Sequence, residues 1–206
     1  MIQNTSKLAG WAATSLALVA TAFADVKVND YISVNGYAIG AVTNTDIDGG
    51  GHIDSYFEPK GSPAVVNADA VKLGVLASAD KLSAYGSILY LPGAADEAGL
   101  LDAYVTFDTG MGVKLTGGKF LSYLGYEAFD PVNMAQLTYG STIFAIPAYH
   151  TGAKIDYSTE TFSVGVAAVD SVFLGSKGFF EGDREYDDDI GFEAMISYTG
   201  INKLTI

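Results

Sequence analysis

Between Val71 and Ala79 the odd positions are Val71, Leu73, Val75, Ala77 and Ala79, while the even ones include Lys72, Gly74 and Ser78. Successive side chains of an extended chain point to opposite sides, so this period of two predicts a β-strand with one apolar face. The pattern returns in Leu101, Ala103, Val105 and Phe107 against Asp102, Tyr104 and Thr106, and in Val113 and Leu115 against Lys114 and Thr116. It runs through Tyr149, Thr151, Ala153, Ile155 and Tyr157 against His150, Gly152, Lys154 and Asp156. Phe162, Val164, Val166 and Ala168 continue it, and Ile190, Phe192, Ala194, Ile196 and Tyr198 oppose Glu193 and Ser197. Two less regular stretches, about Tyr31 to Val42 and Leu82 to Leu91, bring the predicted strands to eight.

The connections alternate too. Long ones run roughly 43–67, 92–99, 121–147 and 170–188, and short turns sit at 79–81, 108–112 and 158–160. A sheet that meanders between two unlike environments produces this asymmetry. Transmembrane β-barrels of the outer-membrane type have short periplasmic turns and long external loops.

Upstream of the strands, Lys7 precedes the apolar run Leu8 to Val19, and Ala22-Phe23-Ala24 stands before Asp25. Charged, apolar and then small-x-small is the order of a secretory signal peptide, so residues 1–24 are read as a leader and 25–206 as one barrel domain. The apolar run is shorter than the roughly 20 residues of a spanning helix.

Composition narrows the partners. The net charge is −13 and Arg184 is the only arginine, so no basic patch exists for phosphate contacts and no nucleic-acid partner is expected. Cysteine is absent, so an exported domain must be held without disulfides. Hydrophobic residues make up 49%, yet no run beyond the leader is long enough for a membrane helix, so the apolar content is spread along strands.

Backbone pairing decides which face can meet lipid. In a closed barrel every N–H and C=O pairs with a neighbouring strand, so an outward apolar row can meet hydrocarbon. A soluble sandwich would use the same row as its core. The opposite face is rich in glycine, serine and threonine, and Tyr31, Tyr90, Tyr149, Tyr157 and Tyr198 recur near strand ends, as in an interfacial girdle. These features favour lipid.

The segment LLDAYVTFDTGMGVKLTGGKFLSYLGYEAFDP, residues 100–131, carries a strand end Gly118-Lys119-Phe120 and a loop opening Gly125-Tyr126-Glu127-Ala128-Phe129-Asp130-Pro131. Ile146-Pro147-Ala148-Tyr149-His150-Thr151-Gly152 then opens the next strand. In these motifs the chain resembles β-barrel porins of the OmpL-like class from Gram-negative bacteria. The resemblance covers most of residues 25–200 in layout and about 100–157 in motif.

That resemblance implies an outer-membrane porin passing small hydrophilic solutes or ions, with the third long loop narrowing the pore. It also implies delivery by periplasmic chaperones and the barrel-assembly machinery, and residence among outer-membrane lipid and lipopolysaccharide, with homo-oligomers open. Pore-lining candidates are Glu127 and Asp130 in that loop, and Lys72, Asp102, Lys114, Lys154, Asp156 and Glu193 on strands. Lys119 joins them if a bulge at Gly117-Gly118 flips it away from the parity of Leu115. The six strand charges are three positive and three negative, so they set no ion preference.

Eight strands make a barrel whose interior side chains fill, whereas channels need more, and porins of this class are longer. Tyr198-Thr199-Gly200-Ile201-Asn202-Lys203 reads as a short turn and Leu204-Thr205-Ile206 as the start of another strand, so the chain is read as the N-terminal part of a larger barrel. A structural eight-stranded barrel without a channel and an exported soluble β-sandwich binding protein are the alternatives.

Other chemistry is sparse. Asp46, Asp48 and Asp54 take the first, third and ninth places of a calcium loop, but Gly50 and Phe57 stand at the fifth and twelfth, so a solvated acidic loop explains them. The acidic stretch from Glu181 to Asp189 is read as a surface loop. No metal or other cofactor is expected. His52 and His150 lie near no nucleophile motif, so no enzyme is expected and His150 is read as a lumen or rim residue.

Overall fold

A computed structural model of the chain describes residues 14–46, 64–90, 98–125, 149–170 and 190–200. Its strands are β1 (Thr14–Lys27), β2 (Ile32–Asp46), β3 (Ala64–Ala79), β4 (Leu82–Tyr90), β5 (Ala98–Asp108), β6 (Val113–Leu121), β7 (Tyr149–Ser158), β8 (Phe162–Val169) and β9 (Gly191–Tyr198). They form one nine-stranded sheet in the order of the chain, every neighbouring pair antiparallel. The fold is all-β and up-and-down, and among the described residues β1 and β9 are open edges, as in a partial barrel.

The eight predicted strands are β2 to β9. The ninth, β1, covers the end of the expected leader and pairs with β2 from Thr14↔Asp46 to Lys27↔Ser33. β2 and β3 also run further into the first long connection than their alternation predicts, to Asp46 and from Ala64. Val65 and Val66 there are good strand residues.

Short turns cluster at one end of the sheet. Asp80, with a φ of 52°, turns β3 into β4, and Gly110 and Gly112, at 80° and 81°, turn β5 into β6. Asn29 caps the turn after β1 by accepting from the N–H groups of Tyr31 and Ile32. The connections 47–63, 91–97, 122–148 and 170–190 all leave from the other end.

Register aligns the two faces across the sheet. One rung runs Ala79, Leu82, Phe107, Leu115, Ile155, Val166 and Ala194 on successive strands. The adjacent rung runs Ser78, Ser83, Thr106, Thr116, Lys154, Ala167 and Glu193. A one-residue slip in any strand would exchange the faces, which is why the alternation fixes register so firmly.

Two local irregularities correct the sequence reading. A register shift between Ser87 and Ile88 leaves Leu101 as an extra residue of β5, so Leu101 is buried beside Asp102 and not exposed with Val105 and Phe107. Gly117-Gly118 carries no register shift, and β6 stays in phase with β7 through Lys119↔Thr151. Lys119 therefore keeps the parity of Leu115 and is not flipped toward the pore-lining face. Instead of a bulge there is a close backbone approach at Gly118, whose φ is 129° and where a Cβ would collide with the carbonyl oxygen of Ala103. Gly118→Ala should destabilise the barrel by about 1–3 kcal/mol. Gly117→Ala, with open space around its site, should change little. Urea midpoints in detergent micelles check the pair.

Candidate functional site

The two faces of the sheet are inverted relative to a water-soluble domain. Leu73, Val75, Ile88, Phe107, Ile155, Val166 and Phe192 are exposed, Leu73 at 57% and Phe192 at 75%. On the other face Lys72, Ser87, Asp102, Thr116, His150 and Glu193 are buried. Contiguous apolar surface is rare on soluble monomers, and buried charge is costly unless paired. A sheet that shelters its charges and bares its apolar rows is built to meet hydrocarbon outside and polar matter inside.

The sheltered charges are paired. On β3 to β5, Lys72 Nζ stands 3.2 Å from Asp102 Oδ2, and Ser87 Oγ donates to the same oxygen at 2.6 Å. Beside them Tyr85 donates its hydroxyl to Asn35 at 3.0 Å, and its ring centroid is 5.7 Å from that of Tyr104. Gly74 makes this possible, because a Cβ there would collide with the Tyr85 hydroxyl.

A second cluster joins β6, β7, β8 and β9. His150 is fully buried, and its Nε2 is 2.8 Å from Glu193 Oε1, a bond in which the carboxylate accepts. Ser122 Oγ donates to that same oxygen at 2.6 Å, and the Tyr123 N–H donates to Oε2 at 3.0 Å. Tyr123 donates its hydroxyl to Asp156. Lys154 Nζ lies 3.7 Å from Asp156 and between the rings of Phe120 and Tyr123, 5.0 Å and 5.1 Å from their centroids. Small residues on β8, Gly165 and Ala167, let groups of β7 and β9 meet across it.

Ser122, Glu193 and His150 contain the residue types of a hydrolase, in the wrong order. Both the hydroxyl and the imidazole are directed at the carboxylate, whereas nucleophilic catalysis needs the imidazole between the other two. His150 Nδ1 has no hydrogen-bond partner among the described residues, with Asp170 Oδ1 3.9 Å away.

Of the sequence candidates, the structure joins Lys72 with Asp102, Lys154 with Asp156, and Glu193 with His150. Lys114 shares their face but lies by the turn, half-exposed, 3.8 Å from Asp108. Lys119 lies on the other parity and donates to the carbonyl of Leu100 at 2.6 Å. Glu127, Asp130, Asp48, Asp54 and the 181–189 acidic stretch fall outside the described residues, as does the side chain of Asp46. Ser122 and Tyr123 escape the sequence reading because no local spacing relates them to Glu193, 70 or more positions away.

The family profile described as "Putative beta-barrel porin-2, OmpL-like" matches residues 93–204, more than half the chain. The chain belongs to this family. The match takes in β5 to β9 and with them the whole His150–Glu193 cluster. No curated protein and no solved structure matches the chain. A porin-like outer-membrane barrel agrees with the single sheet and with its inverted faces, and the family is generally non-enzymatic.

Proposed function

We propose that this porin-family chain forms the wall of a water-filled outer-membrane pore through which small hydrophilic solutes and ions diffuse passively. The observation that carries the reading is the inversion of faces: apolar rows bare on one side, and paired charges with hydroxyls sheltered on the other. Passive passage needs a polar wall and no tight site, and a face on which Lys72, Lys154 and Lys114 each stand beside a carboxylate provides that.

Export by a cleaved leader fits the same reading. Cleavage after Ala24 would leave Asp25, Val26 and Lys27 of β1 at the short-turn end, where Lys27 meets Asp30 at 2.8 Å. That is the periplasmic end of such a barrel, so the mature chain would start on the side from which it inserts. Periplasmic chaperones and the assembly machinery would deliver it, and lipopolysaccharide would surround the long connections.

The charges on and beside the sheltered face also lean one way. Asp102, Asp156 and Glu193, with Asp108 and Asp170 near strand ends, outnumber Lys72, Lys154 and Lys114. Refolded in planar bilayers beside any longer product of its open reading frame, the protein should give steady conductance steps once the barrel is closed, with a reversal potential showing a modest preference for cations over anions in a potassium chloride gradient. Insertion without steps would support the sealed structural barrel instead, and an anion preference would contradict the charge argument.

A further inference from the structure

Among the described residues, His150 Nδ1 is the one buried side-chain nitrogen or oxygen without a hydrogen-bond partner, and the His150 side chain is fully buried. Buried polar atoms are nearly always satisfied, so this one calls for a physical reason. The other ring nitrogen shows what kind of atom it is. Nε2 lies 2.8 Å from Glu193 Oε1, an oxygen that also takes the Ser122 hydroxyl, while Oε2 takes the Tyr123 N–H. An ionised carboxylate only accepts, so Nε2 carries a proton. The neutral ring has a single N–H, which leaves Nδ1 with a lone pair and nothing to receive.

That lone pair meets a second acceptor. Asp170 follows the last residue of β8, and its Oδ1 lies 3.9 Å from Nδ1, with the Asp170 side chain only 9% exposed. Two bonds to β7 place it: the Asp170 N–H donates to the Thr151 carbonyl at 2.9 Å, and the Thr151 N–H donates to Oδ1 at 3.2 Å. The separation from Nδ1 is too long for a hydrogen bond, so a second proton on the ring would not join the two groups as they stand. It suits a cation. Zinc bonds to histidine nitrogen and to carboxylate oxygen run about 2.0–2.2 Å, so one ion between Nδ1 and Asp170 reaches both. The carboxylates of Asp170 and Glu193 on either side of the ring add a favourable field.

We propose that His150 Nδ1 and Asp170 bind a divalent transition-metal ion of the zinc type at the long-connection end of β7 and β8, with Glu193 as the positioning residue behind the imidazole. An imidazole ligand selects zinc, nickel or copper over calcium and magnesium. Metal-bound histidines donate their other N–H to a carboxylate or carbonyl, which fixes the tautomer and the ring plane, and Glu193 takes that place here. Among the described residues no three histidine, cysteine, aspartate or glutamate side chains converge as a metal cage, so two protein donors hold the ion, water fills its other positions, and it exchanges. One water molecule donating to both acceptors is the competing occupant. Binding does not need the barrel to conduct, so the site stands apart from the porin reading.

Zinc titration of the detergent-refolded full chain, read by NMR of the imidazole nitrogens, tests it. His52 is the only other histidine, so the titration is made in a His52→Ala background. Zinc should shift the Nδ1 resonance of His150 and leave Nε2 protonated, and calcium should not reproduce the shift. Calorimetric affinity should fall on the order of tenfold or more in Glu193→Gln and further in Asp170→Asn, and the site should vanish in His150→Gln, with circular dichroism showing which variants keep the sheet. The shift in the parent decides the question even where a variant fails to fold. An Nδ1 resonance unmoved by saturating zinc in the folded parent overturns the site and leaves the bridging water. Equal zinc affinity in His150→Gln overturns it as well, because the ion then sits on carboxylates elsewhere. Unchanged affinity in a folded Asp170→Asn overturns the pairing of the two donors.

Discussion

Leu73→Lys should cost the barrel about 2–4 kcal/mol in a bilayer, because Leu73 lies near the middle of β3 on the exposed apolar face. Its cross-strand partners are Gly36 and Ile88, neither of which offers the ammonium a counter-charge. The cost falls on insertion and not on strand pairing, because lysine is tolerated on a solvated strand face. The two environments are thus separable: the variant should pair its strands in detergent almost as the parent does, yet lose most of its insertion into lipid vesicles. Flotation of vesicles after refolding reads the loss. Equal flotation of parent and variant would mean that this face does not meet hydrocarbon.

Asp102→Ala should be the more damaging change within the sheltered face. Lys72 and Asp102 have side chains only 8% and 10% exposed, and the same carboxylate accepts from Ser87, whose hydroxyl in turn accepts from the Asp102 N–H next to the bulge at Leu101. Removing one partner of a buried pair costs about 3–5 kcal/mol, because the remaining charge keeps its desolvation without that compensation. Replacing both, as Lys72→Met with Asp102→Ala, should recover much of the loss. Urea midpoints of the heat-modifiable band on gels separate the two variants. A single variant as stable as the parent would show that the pair is solvated and contributes little.

Much of this architecture is legible in the alternation of side chains. β4, β7 and β8 begin where their patterns begin, at Leu82, Tyr149 and Phe162, because a strand with one apolar face has nowhere else to put those residues. Short turns are equally visible, since Asp80, Gly110 and Gly112 supply the positive φ angles that tight connections need. What alternation does not carry is any event that changes the count of residues on one strand. The bulge that buries Leu101 depends on a neighbour's register, and the absence of one at Gly117-Gly118 does too.

Chemistry on the sheltered face is legible in kind and not in grouping. Parity places Lys72, Asp102, Lys154, Asp156 and Glu193 on one side, and the sheet adds which of them touch. The meeting of Glu193 with His150 and Ser122 across a β8 of small residues is long-range, so no local spacing announces it. Residue 193 looks like any polar position of a strand until the sheet brings it toward β7.

The most direct test of the account is a scan of spin labels along β3. The chain has no cysteine, so single cysteines at residues 71, 73, 75, 76 and 78 would each carry one label in the barrel reconstituted in vesicles. Collision with oxygen, which concentrates in lipid, should be frequent at Val71, Leu73 and Val75 and rare at Leu76 and Ser78. A water-soluble nickel chelate should show no preference for the odd set. The opposite alternation, or none, would contradict a sheet that turns its apolar rows to lipid and its paired charges to the interior.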